Sequence, residues 1–119
     1  MSKPVEVTDA TFDQFVKDNQ KVVVDCWAAW CAPCRMLSPT IDELAEEKAD
    51  ITFAKLDVDH NRSVPMKYGI MSIPTMVVFN DGVPVEGTVG VVPYEPLNDW
   101  IGSLLERFET ENGSGKASD

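Results

Sequence analysis

The stretch "VVVDCWAAWCAPCRM", residues 22–36, gathers the side chains most able to do chemistry: one carboxylate, three cysteines and two tryptophans. Cys31 and Cys34 stand three positions apart, so on a helix they share a face, one turn from each other. Two sulfurs so placed can close a disulfide ring. They also suit two ligands of a metal ion, which leaves redox chemistry and metal binding both open. Cys31 falls where a helix should begin, directly after a strand and a short loop. There its sulfur meets unpaired N–H groups and the positive end of the helix dipole, and both favour thiolate over thiol. Pro33 fits the first helical turn, where its missing N–H costs nothing, and it stiffens the ring.

Asp25 sits in "VVVDCW", where a bare carboxylate costs on the order of several kcal/mol of desolvation. The following helix must fold back over the sheet to bury its apolar face. That places its first turn above the strand segment holding Asp25. Burial without a nearby cation raises a carboxyl's pKa, and such a group can exchange a proton with Cys34, directly or through a water. A purely structural role, bonded to backbone or to Lys55 in "FAKLD", is the alternative. The two coexist if Lys55 sets the carboxyl's charge state. Zinc normally takes four ligands; the set here would be Cys26, Cys31, Cys34 and the single histidine, His60. Cys26 lies mid-strand and His60 near a distant helix, so a zinc-binding domain is the weaker reading. Cys26 itself reads as a small buried hydrophobe. "SIPT", residues 72–75, puts Pro74 just before an apolar run, where it must open a strand or occupy a special turn. A cis Ile73–Pro74 bond is one such feature, though cis is the minority form for X–Pro bonds in general.

The positioning elements follow from periodicity. "PVEV" at 4–7 reads as a first strand, and "TDATFDQFVKDN" as a helix with Thr8 or Asp9 as cap and Phe12, Phe15 and Val16 on one face. "KVVVDCWA" at 21–28 is apolar at successive positions, as in a central strand covered on both faces. A helix from Cys31 to Lys48 carries Leu37, Ile41 and Leu44 on one side, with Pro39 bending it. "ITFAKLDVD" at 51–59 is a third strand, and Asp59 would cap a short helix ending near Met66. "TMVVFN" at 75–80, the "DG" turn and "VPVEGTVG" form a hairpin. A last helix from Tyr94 to Phe108 would bury Leu97, Trp100, Ile101, Leu104, Leu105 and Phe108. The polar, Gly/Ser-rich residues 109–119 read as a disordered tail after a domain at 1–108. Strands alternating with helices in this order fit a mixed sheet with helices on both faces.

Composition narrows the function classes. The chain has 119 residues, suited to one domain, and 44% are hydrophobic, enough for an ordinary core. Twenty acidic residues against ten basic ones give a formal charge of −10, which argues against nucleic acid as a partner. No apolar stretch approaches the roughly 18 residues of a transmembrane helix, and "MSKPVEVTDATFDQ" lacks a signal-peptide core. A cytoplasmic, reducing setting without membrane attachment is therefore expected. An odd, small set of cysteines there is not a disulfide framework.

Together these segments resemble the thioredoxin family. "VVVDCWAAWCAPCRM" is similar to the family's strand, buried aspartate and W-C-G-P-C-K active site. "FAKLDVD" resembles its third strand with the lysine, "VPMKYGIMSIPTMVVFNDG" the segment around its cis-proline, and "GTVG" its glycine loop; the likeness runs in order over about residues 5–108. It implies the thioredoxin fold, a central mixed five-stranded sheet flanked by four helices, and reduction of protein disulfides through a reversible Cys31–Cys34 pair. By resemblance Cys31 is the exposed nucleophile that forms a mixed disulfide, and Cys34 resolves it. Asp25 and Lys55 manage the proton, and Pro74 is cis and packs against the disulfide. Trp30, Ala32, Pro33, Ile73, Gly90 and Val91 would form an apolar docking surface for substrate. The resemblance implies no cofactor beyond the disulfide, a thioredoxin reductase or equivalent electron donor, disulfide-containing protein substrates, and a monomer. A non-catalytic module of the same fold, which would need the surface and not the thiols, is the alternative. Three departures stand out: Ala32 for the usual glycine, Arg35 for lysine, and Cys26 where an aromatic residue is common.

Overall fold

A computed structural model describes residues 3–118, with side chains described through Arg107. Its strands are β1 (Val5–Val7), β2 (Lys21–Trp27), β3 (Thr52–Asp57), β4 (Thr75–Asn80) and β5 (Val83–Val89). Its helices are α1 (Phe12–Asp18), α2 (Ala32–Glu47), α3 (Ser63–Lys67) and α4 (Tyr94–Ser118). The strands form one mixed sheet in the order β1-β3-β2-β4-β5. β3 runs parallel to β1 and β2, while β4 is antiparallel to β2 and to β5.

β2 is central, and its alternation sends neighbouring side chains to opposite faces. Val23 points into a core with Phe53, Met76 and Val78, closed by Leu37, Ile41 and Leu44 of α2 and Leu97 and Ile101 of α4. Val22, Val24 and Cys26 point into the other core with Leu56 and Phe79, closed by Phe12 and Val16 of α1 and Val64 of α3. Each fully buried Leu or Ile contributes about 1.5–3 kcal/mol, so the apolar face of α2 ties it firmly to the sheet. Pro39 lies inside α2, and the helix continues through it. At the β4–β5 turn Asp81 and Gly82 both have positive φ, 53° and 81°, as a tight hairpin turn demands.

The capping differs from expectation at two helices. Thr8 serves α1 mainly through its carbonyl, which accepts from Thr11 and Phe12 N–H. Asp9 does not cap α1; its carboxylate accepts from Ser63 N–H at 3.1 Å and Val64 N–H at 2.9 Å, capping α3 from across the fold. Asp59, expected as that cap, is three residues too early, because α3 begins only at Ser63 and its cap position is Arg62. Local sequence could not reveal a cap supplied by a residue more than 50 positions away. The backbone of α4 runs helical to Ser118, past the end at Phe108 given by the buried stripe and into the segment expected as a disordered tail.

Candidate active site

Cys31 is the N-cap of α2, with extended backbone (φ −89°, ψ 106°), and the helix proper starts at Ala32. Pro33 lies in the first turn. The Cys31 sulfur accepts from the Cys34 backbone N–H at 3.2 Å, so it takes up one of the orphan donors of the helix start. Cys31 and Cys34 are disulfide-bonded, with Cα atoms 5.3 Å apart. Ala28, Trp27, Val58 and Ile73 pack around the pair. The expected contrast between an exposed Cys31 and a sheltered Cys34 is absent in this oxidised form: their residues are 3% and 4% exposed. The bond turns both sulfurs into the same apolar cluster. Ala32 and Pro33 are exposed beside them. Arg35, in the next turn, donates from Nη1 to the Ala29 carbonyl at 2.8 Å and so braces the loop that carries Trp30 and Cys31.

Asp25 is 2% exposed and lies on the α2 side of the sheet. Its Oδ1 has no hydrogen-bond partner among the described residues. Burial lifts its pKa from an ordinary 3.8 to about 6, against the pull of Lys55 and with a further push from Asp42. Lys55 stands beside Asp25 in the parallel register of β2 and β3, and its ammonium lies 4.9 Å from the centre of the Trp27 ring. Asp42, an exposed carboxylate on α2, was not legible as a neighbour of Asp25, since it belongs to the polar face of an amphipathic helix. Cys26 is buried on the opposite face, and burial together with the Asp25 charge pushes its thiol up to about 12.

The Ile73–Pro74 bond is cis. Pro74 is buried and Ile73 half-buried. The Pro74 carbonyl accepts from Gly90 N–H at 2.8 Å, which brings the loop of Gly90 and Val91 to the same end of the sheet. Gly90 has φ +95°, a left-handed conformation that favours glycine. Trp30 is 69% exposed, and its indole N–H donates to Asp59 at 3.2 Å. Asp59 therefore serves the site by holding Trp30, a pairing across 29 positions that no local pattern announces. A 400 Å³ groove beside the disulfide is lined chiefly by Trp30, Val58, Pro65, Ile70, Met71 and Ile73. The hypothetical zinc set does not assemble: Cys31 and Cys34 are bonded to each other, Cys26 faces away, and His60 pairs with Asp57 at 2.9 Å. Among the described residues no group of three or more His, Cys, Asp or Glu is arranged to hold a metal.

A cysteine pair bonded across the first turn of α2 can cycle between disulfide and dithiol, the chemistry of a thiol–disulfide oxidoreductase. The family profile described as Thioredoxin matches residues 3–103, and the chain belongs to the thioredoxin family. It is 53% identical over 104 residues to a thioredoxin of Staphylococcus aureus, covering 85% of this chain and 97% of that protein. It is 46% identical over 101 residues to a thioredoxin of Alicyclobacillus acidocaldarius, covering 84% and 96%. A solved thioredoxin variant from Halobacterium salinarum NRC-1 superposes with a TM-score of 0.80 at 40% identity, over 85% of this chain and 89% of that one.

Proposed function

We propose that Cys31 is the attacking thiolate and Cys34 the resolving thiol of a reductase for disulfide-containing proteins. The observation that carries this is the seat of Cys31 at the N-terminus of α2, its sulfur accepting the Cys34 N–H. Negative charge on that sulfur is favoured by the donated N–H and by the helix dipole. Cys31 attacks one sulfur of the substrate disulfide, the S–S bond breaks, and a substrate thiolate leaves. Asp25 takes the proton from Cys34, directly or through a water, with Lys55 biasing its charge. Cys34 then attacks the Cys31 sulfur, which closes the ring and releases the second substrate thiol. Two electrons pass to the substrate, and an external donor, a thioredoxin reductase or its equivalent, restores the dithiol.

Trp30, Ala32, Pro33, Ile73, Gly90 and Val91 form the docking surface in this reading, with Pro74 behind the disulfide. Four observations support it: the exposure of Trp30, Ala32, Pro33 and Val91, the packing of Ile73 on the cysteine pair, the groove beside it, and the tie of Gly90 to Pro74. The protein works as a cytoplasmic monomer with no cofactor beyond its own disulfide; no helix of the described residues is long and apolar enough to cross a membrane. The test is insulin reduction driven by dithiothreitol. Cys31→Ser is expected to abolish the acceleration, and substantial activity remaining in that variant would rule out the mechanism.

A further inference from the structure

Two methionines stand at the rim of the groove beside the disulfide. Met71 is 96% exposed and Met66 is 81% exposed, whereas Met76 is fully buried in the core. The 400 Å³ groove that begins at Trp30 and Ile73 shares Val58, Pro65, Ile70 and Met71 with a second depression of 380 Å³. The second depression adds Met66. The two therefore form one mainly apolar trough running from Ile73, which packs on the cysteine pair, towards α3, with Met71 shared by both parts, Met66 in the second, and Arg62 and Ser72 as its polar lining. Thioethers are polarisable and adaptable, which suits a surface that accepts different apolar side chains. They are also the groups there that an oxidant can convert to a polar form.

We propose that Met66 and Met71 are oxidation sites through which hydroperoxides weaken the docking of protein substrates. The inference rests on the docking surface proposed above. In the reaction a sulfur–oxygen bond forms and the peroxide O–O bond breaks. The thioether loses two electrons and becomes a sulfoxide, and the peroxide is reduced to water or an alcohol. The new S–O dipole lies in a trough lined by Val58, Pro65 and Ile70. An apolar substrate segment seated there would strip water from it without offering a hydrogen bond. The cysteine pair is untouched, so the effect falls on binding and leaves the chemical step alone. Met36 is also exposed, at 67%, but lines neither depression and serves as an internal control.

The experiment uses the disulfide form, in which Cys31 and Cys34 are already bonded and Cys26 is buried. The protein is treated with hydrogen peroxide, freed of it, and mapped for sulfoxide residue by residue by peptide mass spectrometry. Insulin reduction gives KM and kcat, and a small aromatic disulfide gives the reactivity of the thiols alone. Met66 and Met71 should oxidise well before Met76. KM for insulin should then rise about five-fold, the effect of about 1 kcal/mol, with kcat and small-disulfide reduction unchanged. In the double variant Met66→Leu/Met71→Leu, compared with its own untreated form, the rise should vanish, while Met36→Leu should retain it. Oxidation of Met76 as fast as Met71, an unchanged KM once both rim methionines carry oxygen, or a rise that persists in the double Leu variant would each overturn the inference. A failure of the functional reading looks different, because untreated protein would then fail to reduce the small disulfide.

Discussion

Replacing Asp25 by Asn tests the buried carboxyl through stability and kinetics at once. Burial raises its pKa from an ordinary 3.8 to about 6, so the folded protein holds a proton there that the unfolded chain has already lost. A gap of roughly two pH units, at 1.36 kcal/mol per unit, makes the charged form cost about 3 kcal/mol. The sign follows from proton counting. Below pH 3.8 both states are protonated and the penalty is absent; between pH 3.8 and about 6 the folded state binds more protons, so stability falls as pH rises; above about 6 the full penalty applies. Asn carries no charge and escapes this penalty, though its buried amide gives back about 1 kcal/mol if left unpaired. Asp25→Asn should therefore stabilise the protein by about 1–3 kcal/mol at pH 8 and by little or nothing at pH 3.5, read by urea unfolding at both. In kinetics, wild-type resolution of the mixed disulfide should slow as pH falls through about 6, when Asp25 gains a proton and can no longer accept one. The Asn variant should resolve slowly throughout, accumulate mixed disulfide, and lack that inflection. A stability gain equal at both pH values, or an inflection that survives the substitution, would refute the reasoning.

Lys55→Met removes the cation that pulls the Asp25 pKa down, so the inflection should move to higher pH; an unmoved profile would detach Lys55 from the proton transfer. Asp9→Ala removes the side chain that accepts from Ser63 and Val64 N–H and should cost about 1 kcal/mol in urea unfolding, with Asp9→Asn closer to wild type. A neutral Asp9→Ala would mean that water caps α3 equally well.

The strands and the position of the cysteine pair were legible because they rest on local pattern. β4 follows from "TMVVFN" and its hairpin from the adjacent "DG". Cys31 at the helix start follows from the order strand, loop, proline. The unforeseen parts are pairings between distant segments: Asp9 with α3, Asp59 with Trp30, and Asp42 near Asp25. In sequence Asp9 and Asp59 read as caps of the helices that follow them, and Asp42 as part of the polar face of its helix. The partners come only from the return of β3 beside β2, the docking of α3 against α1 and the fold-back of α2 over β2. The matching exposure of Cys31 and Cys34 was equally hidden, because it depends on how Trp27, Val58 and Ile73 close over the oxidised pair.

Adjacent residues of β2 receive opposite chemical roles from one geometric fact. Alternation sends Asp25 to the α2 side and Cys26 to the α1 side, among Val24, Leu56 and Phe79. The same Asp25 charge that would assist Cys34 also holds the Cys26 thiol at about 12, after the larger effect of burial. Burial thus shields Cys26 from solvent and disfavours its thiolate, the form that reacts. A one-residue slip of β2 would exchange the two roles. The apolar contacts of both cores oppose that slip, since Val22, Val23 and Val24 would each leave the face they now fill. The register that buries the Asp25 carboxyl at a cost of about 3 kcal/mol is thus held by the packing around it, and the third thiol is kept buried by the same packing.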